Sequence, residues 1–229
     1  MNTHKTAGRT FGIFFIIAFL SYGIGSGLVD SLVTVPDFLS NIYDNQTMIV
    51  VAVFLMAIVH SFVNIGLAVV MLPILEPYHK RLTYGYLSAA IMATTVLAVG
   101  TLFLLLLIPL SNEYVNAGSA AAPHFETIGI LLKQGGIYAY HMGMAIWAIG
   151  GVMFVSVLYK SKLIPRLMSV WGIIGYVILA SGSVMEIFGH NDMVEIISVA
   201  PGGLFEITLS ILLIAKGFSA SAIAPETTK

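Results

Sequence analysis

The sequence predicts an all-α protein, a polytopic membrane bundle of about six transmembrane helices, and three observations carry that reading. Hydrophobic residues make up 58% of the chain against 9% charged, with a mean hydropathy of +0.96. A soluble domain carries roughly a quarter of its residues charged. Six stretches are long enough to cross a hydrocarbon core about 30 Å thick, which takes roughly 20 apolar residues rising 1.5 Å each. The basic residues gather on one side of those stretches, with a single exception. Lipid offers backbone groups no partner, and the stretches lack two-residue alternation, so they are helices rather than barrel strands.

The first span, Gly8–Leu28, follows His4, Lys5 and Arg9. A basic flank with Gly25 and Gly27 further on also suits a cleaved leader. The length of the run and the lack of an Ala-x-Ala site favour a retained helix. Residues 29–45 hold Pro36, Asp30, Asp37 and Asp44 and read as a short ordered loop over the bundle. The second span, Gln46–Leu75, and the third, Tyr84–Leu110, flank Lys80 and Arg81. From Ser111 to Pro123 the composition shifts to Ser, Asn, Gly and Ala, as in turns. Residues 125–134 then read as an amphipathic helix lying on the outer surface and ended by Gly135-Gly136, with an outward extension of the fourth span as the alternative. The remaining spans are Ile137–Tyr159, Leu167–Phe188 and Met193–Ala215. Residues 1–218 thus form a single bundle, and the polar stretch 219–229 with Pro225 is expected to be a disordered cytoplasmic tail.

Orientation follows from the cations. With the N-terminus inside, Lys5, Arg9, Lys80, Arg81, Lys160, Lys162, Arg166, Lys216 and Lys229 share the inner side, and Lys133 alone lies outside. That asymmetry predicts two cytoplasmic termini. Each odd-numbered helix begins with an arginine followed by an aromatic–glycine pair: Arg9 with Phe11-Gly12, Arg81 with Tyr84-Gly85, Arg166 with Trp171-Gly172. Headgroups suit the arginine, the interface suits the ring, and close helix approach suits the glycine. Shared interfacial physics explains the pattern better than an internal repeat, because the spacing differs each time.

Ionisable groups near the middle of a membrane helix cost at least about 2.5–3.5 kcal/mol, which makes each one a site candidate. Glu206 lies near mid-depth in the sixth span. His60, with Asn64 one turn on, lies in the second, His141 in the fourth, and Glu186 at the outer end of the fifth. Helical spacing sets them on small-residue stripes: Gly202, Gly203, Glu206 and Ser210; Gly172, Gly175, Gly182 and Glu186; Ala57, His60, Asn64 and Ala68; His141, Ala145 and Ala148. The sequence therefore predicts that the second, fourth, fifth and sixth spans turn these faces together around an outward-opening polar pocket. Structural readings stand beside each candidate. Glu186 can be hydrated at the interface, His141 can sit there with Tyr138 and Tyr140, and His60 with Asn64 can tie two helices together. Glu206 asks for a cation or a proton.

Three functions fit. One is a transporter or receptor binding a small hydrophobic or cationic ligand, or a proton or cation, at Glu206, with His60 and His141 as relays. Another is a haem bound axially by His60 and His141, or a zinc or iron site built from these with Glu206, Glu186 or His190, as in a membrane hydrolase. No His-Glu-x-x-His spacing supports the metal version. The last is a non-catalytic accessory or scaffold protein. No nucleophilic triad, phosphate loop or nucleotide fingerprint points to an enzyme or names a cofactor. The lipid bilayer is the partner that composition names. A net charge of −1 leaves no basic patch for nucleic acid, and the lack of cysteine removes disulfides, thiolate catalysis and Cys-based metal sites.

The run Lys162-Leu-Ile-Pro-Arg-Leu-Met-Ser-Val-Trp-Gly-Ile-Ile-Gly175, the stretch Pro201-Gly-Gly-Leu-Phe-Glu206 and the closing Leu213-Ile-Ala-Lys-Gly-Phe218 resemble the bacterial six-helix membrane family catalogued as domain of unknown function 4386. The resemblance covers almost the whole chain and implies a bacterial cytoplasmic membrane location. It also implies a histidine in the fourth span, matched by His141, and a charged residue early in the third, where this chain has Ala89 and Ala90. The resemblance implies no activity.

Overall fold

The computed structural model describes residues 3–117, 122–189 and 192–218, which are helical almost throughout, with no strand among them. The expected tail 219–229 and His190 lie outside the described residues. The elements are α1 (Thr3–Val33), α2 (Phe38–Asp44), α3 (Gln46–Val53), a π-helical stretch (Phe54–Val59), α4 (His60–Ala117), α5 (Ala122–Ser161), α6 (Arg166–Phe188) and α7 (Asp192–Ala215). Five continuous helical stretches are long and apolar enough to cross a membrane, and the longest, Gln46–Ala117, doubles back at His79. The second and third spans are therefore joined by a single non-helical residue rather than a loop. Pro77 withholds the amide that would close the preceding turn. The His79 Nδ1 then accepts from the Leu82 amide at 3.3 Å and caps the limb 80–117. The reversal brings Gln46 and Asn112 together at 2.7 Å.

The helices form a ring in which α1 packs on both α7 and α4, α4 on α5, α5 on α6, and α6 on α7. The start of α1 and the last turn of α7 meet at one end of it, where the Arg9 Nε donates to the Ile214 carbonyl at 3.2 Å. One core, around Phe11, Tyr86, Trp147, Phe154, Tyr176 and Phe205, fills that half of the bundle. A second core, around Val29, Phe38, Ile42, Ile49 and Leu107, fills the opposite end. There residues 29–45, expected as a loop, are mostly helical: α1 runs on to Val33, and α2 packs against α4 and α1. Its N-cap, Asp37, accepts from the Ser40 amide, and the Ser40 side chain beside it holds the exposed carboxyl below the usual range.

Of the two readings of residues 125–134, the extension of the fourth span is the one found at that end, because α5 runs unbroken from Ala122 to Ser161. Gly135 and Gly136 do not end a helix here. They lie along it where Phe103 and Leu104 of α4 come close, and the missing side chains make room for that neighbour. The turn expected between Ser111 and Pro123 is also shorter, since α4 continues to Ala117. Lys133, the one cation expected outside, donates to the Val33 carbonyl at 2.6 Å and lies 4.6 Å from the Phe38 ring centroid. It thereby neutralises the C-terminal end of α1.

The arginine–aromatic–glycine anchors do mark close helix approaches. Gly12 meets Ser210 and Ile214, Gly85 meets Met153, and Gly172 meets Phe205. The Lys162–Arg166 turn is tight: Lys162 adopts φ 58, Leu163 and Ile164 are buried, and Pro165 caps α6.

Candidate functional site

One cavity of about 660 Å³ runs inside the ring from Glu206 to Asp30, Val33 and Lys133 at the end away from both termini. Four of the five sequence candidates line it: Glu206, His60, Asn64 and His141. Glu186 is not among its lining residues. Its stripe faces α7 instead, with Gly172 against Phe205 and Gly175 against Gly202, and the fifth span gives the pocket only Leu179. At 3% exposure Glu186 is packed in that seam, not hydrated at an interface. The wall the sequence reading omits is α1, which contributes Phe15, Phe19, Tyr22, Gly23, Ser26, Gly27 and Asp30.

Glu206 sits at the closed end on α7 and is 8% exposed. Its partners are neutral donors rather than a cation. The Trp147 indole Nε1 donates to Oε1 at 3.1 Å and the Tyr176 hydroxyl donates to the same oxygen at 2.8 Å. Oε2 receives no hydrogen bond from the protein and fronts the cavity. The donors are held firmly. Trp147 lies among Phe15 and Tyr86, with ring centroids 6.3 Å and 6.4 Å away. Tyr176 lies against Gly151, where a Cβ would come within 2.6 Å of three ring atoms. Gly151 is therefore what lets the phenol reach the carboxylate.

His60 follows directly on the π-helical stretch, which carries one extra residue in the turn; its amide closes an i to i−5 bond on the Leu55 carbonyl. Its Nδ1 lies 3.0 Å from the Ala18 carbonyl, and its Nε2 lies 3.0 Å from the Asn64 Nδ2. A carbonyl only accepts, so Nδ1 carries the proton and Nε2 accepts from the amide. Both ring nitrogens are thus engaged, which leaves none for an axial haem bond. Among the described residues no group of three His, Cys, Asp or Glu side chains is placed to hold a metal ion. His60 and His141 belong instead to an aromatic run along the wall: His60 to Tyr22 at 5.0 Å, Tyr22 to Tyr140 at 5.8 Å, and Tyr140 to His141 at 5.1 Å.

The site is therefore a slender apolar and aromatic chamber with a carboxylate at each end. Lys133 is the one cation among its described lining residues, and its ammonium is already on the Val33 carbonyl. Sequence reasoning missed Trp147, Tyr176, Tyr22 and Asp30. The signal for Tyr22 and Asp30 was the Gly23, Gly25, Gly27 run between them, whose small residues suit a wall as well as a leader.

No curated protein and no solved structure matches the chain. A family profile does match, over residues 10–217, which is nearly every described element. The chain belongs to the family described as domain of unknown function 4386.

Proposed function

We propose that this protein is a multi-pass membrane protein, a receptor or transporter, that binds a small cationic ligand in its central cavity, with Glu206 as the anchoring carboxylate. The observation that carries this is the split role of that carboxylate: Oε1 is saturated by Trp147 and Tyr176, while Oε2 is left to the cavity. A carboxyl oxygen that faces a largely apolar chamber is best satisfied by a ligand donor or a proton. Aromatic walls favour an ammonium over a neutral donor, and Asp30 at the far end adds attraction of the same sign. The volume lies within the range of small-ligand pockets, about 300–1,000 Å³.

The proposed setting is a bacterial cytoplasmic membrane with both termini inside and the cavity opening outward. The basic residues flanking the His79 reversal, the Lys162 turn and the two chain ends support that orientation, because they gather at the end where Arg9 meets Ile214. His60 and His141 are wall residues in this reading, not metal ligands.

Titration calorimetry with 2-phenylethylamine, a compact ammonium bearing one ring, tests the assignment on the purified protein in phosphatidylcholine nanodiscs. Wild type is expected to bind. Glu206→Gln keeps an acceptor for Trp147 and Tyr176 but removes the charge, and is expected to weaken binding by about tenfold to a hundredfold. Absence of binding by wild type, or equal affinity in the variant, overturns the proposal.

A further inference from the structure

The way into the cavity identifies the ligand more narrowly, provided that Glu206 is its anchor. On the side towards the chain ends, α1 and α7 are zipped together: Gly8 meets Phe218, Gly12 meets Ser210 and Ile214, and Gly203 meets Phe19. Beyond Phe19 the zipper stops. Gly23 and Gly27 line the cavity, yet a Cβ on either would meet nothing within 4 Å. On the opposite rim Ser198 of α7 packs closely against Gly182 of α6. The two rims are apolar on their outward faces, with Leu20 and Ile24 on α1 and Ile197 and Leu204 on α7 all more than half exposed. Side chains of that kind are exposed where the surrounding medium is hydrocarbon.

The end of the cavity is bridged instead. Lys133 on α5 reaches the Val33 carbonyl on α1, over the Phe38 ring of α2. That end is lined by the polar groups Ser26, Asp30 and Lys133 and suits a water-soluble ligand, whereas the side gap between α1 and α7 is the apolar way in among the described residues. The cavity is also long for its volume. It follows α1 from Phe15 to Val33, about 27 Å of helix rise, so 660 Å³ makes it slender and suits one chain at a time.

We infer that the ligand is a single-chain lipophilic amine that enters sideways from the outer leaflet between α1 and α7, with its ammonium on Glu206 and its chain trailing through the gap into lipid. The head needs an N–H, because Oε2 accepts a hydrogen bond that a quaternary ammonium cannot give. A two-chain lipid is too broad for the chamber. The tail need not fit inside, since the same gap that admits it leaves it in hydrocarbon.

The test uses dodecylamine and 2-phenylethylamine as probes on the full chain in phosphatidylcholine nanodiscs, with association followed by tryptophan fluorescence. Ile24→Phe/Ile197→Phe enlarges the two exposed rims and alters no residue that lines the cavity, so it narrows the gap without touching Glu206. The double variant is expected to slow dodecylamine association by about tenfold while leaving the water-soluble probe nearly unchanged. Equal slowing of both probes, or of neither, overturns sideways access. Glu206 anchoring survives those results if 2-phenylethylamine binding stays sensitive to Glu206→Gln. A second measurement does not depend on the variant. Dodecylamine carrying a photoreactive group at its chain end is expected to label the rims at Ile24 and Leu204. Labelling at Leu104 and Ile137 would place the chain upright inside the cavity and overturn the inference.

Discussion

At the scale of single residues, Glu206 is defined by the two groups that share its Oε1. Tyr176→Phe removes only a hydroxyl and leaves the ring in its place against Phe205 and Gly151. Loss of that bond is expected to cost about 1–3 kcal/mol, a fall in Tm of a few degrees or more in detergent. The cost is expected to shrink in a Glu206→Leu background, where the acceptor is gone. An equal cost in both backgrounds would mean that the hydroxyl contributes through packing alone. The sequence revealed the carboxylate but not its donors, for a physical reason. A charge in a membrane span is costly and so conspicuous, whereas Trp147 and Tyr176 have the composition of any aromatic core. His60, Asn64 and His141 were legible for the same reason as Glu206. Glu186 was legible as polar but not as to which way it faced, because a stripe of glycines shows that a neighbour is close without saying which one.

At the scale of elements, helix number was readable from apolar length, while ends and breaks were not. Gly135-Gly136 looks like a stop, yet the helix continues because packing against α4 supplies what propensity lacks. The reversal at His79 looks like a loop, yet one residue suffices because its imidazole caps the next limb. The π-helical stretch Phe54–Val59 left no trace in the apolar pattern, although it immediately precedes His60. It carries one residue more than an α-helical turn would, so deletion there restores regular geometry without rotating either flank. Deletion of Ile58 is therefore expected to leave a folded protein with Tm close to that of wild type. Deletion of Val69, equally lipid-facing but within regular helix, rotates everything beyond it by about 100° and is expected to abolish folding. Size-exclusion profiles and melting curves of the two variants distinguish them. Equal damage from both would show that the π-helical stretch does not hold a removable residue.

At the scale of the whole molecule, the bundle has two unlike ends. One carries the start of α1, the last turn of α7 and most of the described cations around a dense aromatic core. The other carries α2, the extended tips of α4 and α5, and the Lys133 bridge over the cavity. Lys133 stands apart from the other described cations, and its position explains that, because it serves the end of α1. Both lateral access and outward opening depend on which end faces the cytoplasm. The native chain has no cysteine, so single cysteines report on sidedness without background. Glu113→Cys lies near the tip of α4, and Lys162→Cys lies in the turn between α5 and α6. A membrane-impermeant maleimide applied to intact cells is expected to label the first and to reach the second only after permeabilisation. The reverse pattern would invert the molecule, place the gap between α1 and α7 in the inner leaflet, and make the cytoplasmic side the source of the ligand.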